Sequence, residues 1–190
     1  MPGKKQDARV RYTKMVVKSS LLELMQTKPV AKITVTEICE KAGINRATFY
    51  SHYSDPTDLL HSIERELIED ISRRVQPAIA ALGGDLKDSM TEIVEYVREN
   101  AEACRALLSD QGDTGFQNQV VQVVEKQFIE HWRANSSASM EDAEYIYTFI
   151  AIGSVGVIRK WLAEGTVKPS GEVADIIIKL SSAGFMSLAG

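Results

Sequence analysis

The 190-residue chain is poor in reactive side chains, with two cysteines, three histidines, five prolines and an aromatic content of 7%. Cys39 and Cys104 lie far apart and form no Cys-x-x-Cys pair. They therefore offer neither a zinc site nor a redox couple, and read as small buried hydrophobes. His52, His61 and His131 fall in three different helical segments without a paired nucleophile. There is no G-x-S-x-G elbow, H-E-x-x-H pair, Walker loop or dinucleotide fingerprint. No catalytic constellation, metal-ligand spacing or cofactor motif is present, which argues against an enzyme. The N-terminus carries charge but no apolar segment of the signal-peptide kind. The longest apolar-rich stretch, Tyr145–Ile158, includes Thr148, Ser154, Gly153 and Gly156 and is shorter than the roughly 20 residues of a membrane span. Together these absences predict a soluble chain in a reducing cytoplasm, with no membrane and no cofactor.

Apolar residues make up 44% and charged residues 25% of the chain, ordinary globular values that exclude disorder and fibrous repeats. The formal charge of −4 does not suggest an anionic partner, but it is unevenly spread. Residues 1–60 hold ten basic and six acidic side chains, a net +4, and residues 61–190 hold 12 basic and 20 acidic, a net −8. A nucleic-acid-binding head on an acidic body has this pattern, and so does chance clustering on a solvated face.

The period of the apolar residues is helical throughout, so the fold class is all-α. Val16, Val17, Leu21, Leu24 and Met25 define an amphipathic helix over about Arg9–Gln26, ended before Pro29. Thr34 followed by Glu37 is a capping box opening a second helix, and Gly43 suits its left-handed stop. Asn45 can cap a short helix, Arg46–His52; Asp55 caps a longer one that has Pro56 at its first position and runs to about Ala81. Gly83–Gly84–Asp85 reads as a linker. Beyond it the pattern predicts helices near 86–99, 101–109, 116–134, 140–164 and 171–188. Gly112–Gly115 reads as a turn, Asn135–Ser139 as a polar connection and Ser170 as the cap of the last helix.

Thr34–Tyr53 is therefore helix, glycine turn, short helix. In a helix-turn-helix the second helix enters the major groove and its first residues reach base edges. Arg46 can give guanine a bidentate pair of hydrogen bonds, Thr48 offers a hydroxyl and a methyl, and Ala47 allows close approach. Thr36, Tyr50 and His52 can donate to phosphate oxygens. Phe49 is spaced to point back toward Ile38 and Leu21. Two packed helices with polar ends would look similar without binding anything, but the basic head and the Arg46-Ala47-Thr48 start favour DNA.

Residues 9–60 resemble the DNA-binding domain of the TetR family of bacterial transcriptional regulators. The resemblance is carried by Ile33-Thr34-Val35-Thr36-Glu37-Ile38 and by Ala42-Gly43-Ile44-Asn45-Arg46-Ala47-Thr48-Phe49-Tyr50-Ser51-His52-Tyr53. It implies DNA contacts at Thr36, Asn45, Arg46, Ala47, Thr48, Tyr50 and His52. Pro56 stands where that family usually opens its fourth helix with a phosphate-binding lysine. The exchange also removes a backbone N–H and shifts weight to Lys32 and the N-terminal arm.

The second half is similar to a C-terminal domain of TetR-like proteins of Gram-positive bacteria. The shared residues are Glu99-Asn100, Leu107-Leu108-Ser109-Asp110, Gly112-Asp113, Phe116 and Gly156-Val157-Ile158-Arg159-Lys160-Trp161-Leu162. The resemblance implies domains at 1–60 (DNA binding) and 61–190 (ligand binding and dimerisation). The last two helices would pair with those of a second copy, so that two recognition helices meet a palindromic operator. Ile146, Phe149, Ile150, Gly153, Val157 and Trp161 form an apolar stripe suited to that homodimer, with Ile176–Leu180 and Phe185–Leu188 on the last helix; apolar stripes serve equally as monomer core. Tyr96, Cys104, Phe128, His131, Trp132 and Tyr147 could line a small-molecule pocket or be plain core, and an apolar effector is the default. The expected function is a repressor released by a small-molecule effector. A coactivator, or a helical protein-binding adaptor with weakened DNA binding, is the alternative.

Overall fold

The computed structural model describes residues 3–81, 87–108, 114–135 and 139–188, and among them every regular element is helical. The expected Gly83–Asp85 linker, residues 112–113 of the expected turn and residues 136–138 of the polar connection lie outside the described residues. The side chains of Phe185–Leu188 do too.

Helix α1 spans Gly3–Met25, beginning six residues before the predicted Arg9. The apolar stripe starts only near Val10, but nothing between Lys4 and Arg9 breaks a helix, so the backbone runs past its own stripe. A 3₁₀ turn at Val30–Lys32 leads into α2, Val35–Ala42. The capping box forms: Thr34 Oγ1 accepts from the Glu37 amide at 3.3 Å, and the Glu37 carboxylate accepts from the Thr34 amide at 2.9 Å. Gly43 stops α2 at φ 65°, a left-handed conformation that costs glycine nothing. The Ile44 amide then donates to the Cys39 carbonyl at 3.0 Å and closes the end of the helix. Helix α3, Arg46–Tyr50, is capped by Asn45. Asp55 Oδ1 caps α4, Pro56–Ala80, by accepting from the amides of Thr57 at 2.8 Å and Asp58 at 2.9 Å.

Leu21, Ile38, Phe49 and Leu59 are fully buried and bring α1, α2, α3 and the start of α4 onto one small core. The compact N-terminal unit ends at Glu66 and the second begins at Leu67. That division falls inside α4, past the residue 60 suggested by sequence. The Asp55–Pro56 signal marks where a helix begins, but Leu60 and Ile63 on that helix are still buried head residues.

The second unit contains α5 (Lys87–Glu99), α6 (Ala101–Leu107), α7 (Thr114–Asn135), α8 (Met140–Ala163) and α9 (Ser170–Leu188). Helix α9 packs along α5 and α8, α7 along α8, and α6 against α8. Phe128 sits at the centre of an aromatic cluster, its ring centroid 5.8 Å from Trp132 and 5.4 Å from Tyr147. Ser139 caps α8, accepting from the Asp142 amide at 3.0 Å. Ser170 was expected to cap α9 but is its first residue. The Pro169 carbonyl takes the amides of Glu172 and Val173 instead, and Ser170 is buried.

By length and composition α8 is long and apolar enough to cross a membrane. It outruns the 145–158 stretch because Glu141–Glu144 and Arg159–Ala163 continue the same helix. Its Ala143, Ile146, Tyr147, Ala151, Trp161 and Leu162 are buried in the core of the second unit.

Candidate nucleic-acid interface and regulatory domain

The start of α3 presents the residues expected to meet DNA, with Asn45, Arg46, Ala47 and Tyr50 exposed and Thr36, Thr48 and His52 half-buried. An Arg46 guanidinium N–H donates to Thr36 Oγ1 at 2.6 Å, so α2 and α3 place these two side chains on a shared surface. Asn45 has a structural task. Its Oδ1 accepts from the Thr48 amide at 2.7 Å and the Thr48 hydroxyl at 3.0 Å. Both lone pairs of that oxygen are used, which leaves the Nδ2 donors for a partner. Thr48 has likewise committed its proton and keeps a methyl group and acceptor capacity. Tyr50 is 56% exposed, its ring edge-on to the buried Phe49 with centroids 5.7 Å apart. His52 lies against Tyr53, ring to ring at 6.3 Å.

Electrostatics hold the scaffold under this surface. The Lys28 ammonium beside Glu37 lowers the Glu37 carboxyl to about 2, helped by the Thr34 amide and hydroxyl. Asp58 is also held below its ordinary value, chiefly by the Ser54 amide, which donates to it at 2.9 Å. Lys28 was not singled out from sequence; it lies nine residues from Glu37, a spacing that no helical rule connects.

The second unit contains a partly open cavity of about 190 Å³ lined from α4 to α9. Of the side chains considered from sequence, Cys104, Phe128 and Tyr147 line it, while Tyr96 and Trp132 are buried away from it. His131 is half-buried and also outside the wall. Tyr96 instead joins α4 to α5: its hydroxyl donates to Asp70 at 3.0 Å and the Arg74 guanidinium lies 4.0 Å from its ring centre. Burial, then the hydrogen bond to the Asp70 carboxylate, push that phenol up. Most of the wall is aliphatic, from Ile71 and Val75 on α4 to Val121 and Val124 on α7 and Ile158 on α8. No sequence signal separates such residues from ordinary core.

The apolar stripe on α8 divides in two. Ile146 and Trp161, expected at a dimer face, are 6% and 3% exposed and belong to the core of their own chain. Ile146 packs in the aromatic cluster, and the Trp161 indole N–H donates to the Lys168 carbonyl at 2.8 Å, tying down the loop before α9. Ile150 is half-buried and lines the cavity, and Val157 is half-buried. Phe149 and Gly153 are exposed, joined by Tyr145, Ile152 and Gly156 at helical spacing, and on α9 by Ile176 and Leu180. Ile152 was missed from sequence, although its position three residues from Phe149 marks the same face.

Two family profiles match the chain. Residues 19–63 match "Bacterial regulatory proteins, tetR family" and residues 84–183, more than half the chain, match "Transcriptional regulator C-terminal region" of the same family. The chain belongs to the TetR family of transcriptional regulators. Solved TetR-like structures share the fold. The "Dihydroxyacetone kinase operon activator DhaS" superposes with a TM-score of 0.64 at 17% identity, over 94% of this chain and 98% of that one. The "SmeT-Triclosan complex" gives 0.69 at 14% identity, over 90% of each chain. The regulator FadR from Bacillus subtilis in complex with stearoyl-CoA gives 0.64 at 12% identity, over 90% and 98%. As a TetR-family regulator, the protein has a helix-turn-helix DNA-binding head and a helical C-terminal domain.

Proposed function

We propose that this TetR-family regulator is a homodimeric repressor that reads a palindromic operator and leaves it when a small molecule enters the C-terminal cavity. One observation carries the reading: the start of α3, with Arg46 and Ala47 exposed and Arg46 already aligned by Thr36, belongs to a head whose α4 continues to Ile71, Val75 and Ile79 in the cavity wall. Arg46 is the base reader, Thr36, Tyr50 and His52 hold phosphates, and Asn45 and Thr48 fix the start of the recognition helix. Two copies related by a two-fold axis would set the recognition helices roughly 34–36 Å apart, one turn of DNA. A DNA-binding regulator of this kind works in the cytoplasm.

The dimer is supported by glycines with no task inside the chain. Added Cβ atoms at Gly153 and Gly156 would meet nothing within 4 Å, so packing within the protomer does not demand glycine there. A mid-helix glycine costs about 1 kcal/mol relative to alanine. Close approach of a second α8 accounts for that cost, with Phe149 and Ile152 beside the contact. Effector release is supported by the cavity itself and by the ligand-bound states of SmeT and the B. subtilis FadR.

A second reading, activation through a partner, is favoured by the start of α4. Pro56 has no amide, and the Thr57 and Asp58 amides are both held by Asp55, so none of the first three residues of this helix has a free amide for a phosphate. Selection of genomic fragments with the purified protein, followed by reporter assays with and without its gene, tests both. Repression predicts an operator bound at low salt and a reporter that rises on deletion. No selected fragment at low salt would remove the repressor.

A further inference from the structure

We propose that the C-terminal cavity accepts a compact uncharged molecule, an aryl or short aliphatic body, and excludes carboxylates and amines. This rests on the reading above that the cavity is the effector site, and names the chemistry of what enters it.

Among the described residues of the wall none is charged. Phe116, Phe128 and Tyr147 give it aromatic faces, and Val94, Val121 and Val124 are typical of the rest. The polar atoms that border it are few and mostly committed. The Tyr147 hydroxyl donates to the Val121 carbonyl. Burial pushes the Cys104 thiol up to about 12, so it stays neutral, a weak donor that is no nucleophile at neutral pH. Ser154 and Ser181 border the space, but the surface that it presents is almost wholly apolar, so a polar group of a ligand finds little to meet there.

Two cations of adjoining helices, Arg74 and Arg105, are engaged elsewhere. Arg74 lies over the Tyr96 ring, and Arg105 Nε donates to the Leu162 carbonyl at 3.1 Å. A carboxylate brought into this wall would lose its water and meet no cation among the described lining residues, and an ammonium would meet no anion among them. Size narrows the class further. At about 190 Å³ the space is smaller than a drug-sized site of roughly 300 Å³ or more. It is slightly larger than the apolar cavity of about 150 Å³ known to hold benzene. A benzene ring bearing a short chain fits these limits.

Calorimetric titration of the full-length protein at pH 7 with n-propylbenzene and with phenylpropionate tests the proposal, because the two probes share a phenyl-alkyl body and differ by a carboxylate. The expected result is saturable binding of propylbenzene and binding of phenylpropionate weaker by about 100-fold or more. Val124→Phe and Ile158→Phe fill the wall from two different helices at half-buried positions, and each should weaken propylbenzene with helicity retained by circular dichroism. Phenylpropionate binding as tightly as propylbenzene would overturn the ligand class and leave effector release standing. Failure of both probes, or propylbenzene binding untouched by both variants, would overturn the assignment of this cavity. Propylbenzene binding to the cavity without loosening the selected operator would support the ligand class and sink effector release.

Discussion

In the proposed reading Arg46 concentrates the specificity of the head in one side chain. Its hydrogen bond to Thr36 narrows the rotamers of a long side chain before DNA arrives. Arg46→Ala should cost about 1–3 kcal/mol of operator affinity and relax the choice at one guanine. Competition binding against operators changed at each position measures this, and unchanged affinity would take Arg46 off the list of base readers. Beneath it, Glu37 joins the α2 cap to Lys28. Its carboxyl lies below the ordinary 4.5, at about 2, so it stabilises the fold above 4.5 and that contribution disappears as pH falls from 4.5 toward 2. Urea midpoints followed through this window should therefore fall less steeply in Lys28→Met than in the parent. Thr34→Ala removes the capping oxygen and should cost about 0.5–2 kcal/mol of stability at neutral pH. Thr34, Glu37, Gly43, Asn45 and Asp55 were all legible in sequence, because a cap is a local bargain between a side chain and amides two or three residues away.

At the scale of the element, α8 shows where periodicity stops being informative. Its apolar residues recur at every helical spacing, so sequence alone makes one stripe of Ile146, Phe149, Ile150, Gly153, Val157 and Trp161. Packing splits that stripe among core, cavity wall and open face: Ile146 and Trp161 are buried, Ile150 borders the cavity, and Phe149 is 67% exposed. Gly153→Leu separates two roles for the open face. With nothing in the described residues within 4 Å of an added Cβ, and the position exposed, a side chain at 153 points into open space in the protomer. Its helix should gain about 1 kcal/mol through propensity. A second α8 would be held away by the same side chain, so sedimentation should show a monomer whose thermal stability as a protomer is preserved. A Gly153→Leu protein that dimerises like the parent would remove this face from the interface. The start of α1 illustrates the converse, since a helix continues through Lys4–Arg9 without any apolar period to announce it.

For the whole molecule, the division of charge matches a division of labour. The +4 of residues 1–60 falls on the unit that bears the helix-turn-helix, and the −8 of the remainder falls largely on the C-terminal helical domain. Phosphate contacts by the head should make operator affinity fall steeply with salt, by a log–log slope of about 0.9 per phosphate neutralised. Lys32→Ala should flatten that slope by about 1 and leave sequence preference unchanged, whereas a slope unaltered by the substitution would place Lys32 off the DNA. The all-α class, the order of the helices, the caps at Thr34, Asn45 and Asp55 and the helix-turn-helix are legible in the sequence alone, because each depends on residues close together in the chain. Tertiary packing alone shows that the compact head extends to Glu66, that Ile146 and Trp161 face inward and Phe149 and Ile152 outward, and that a cavity without a charged side chain among its described lining residues opens among α4 to α9. Burial, exposure and empty space are properties of surfaces brought together from distant parts of the chain, and an isoleucine in a core, a cavity wall or an interface is the same letter.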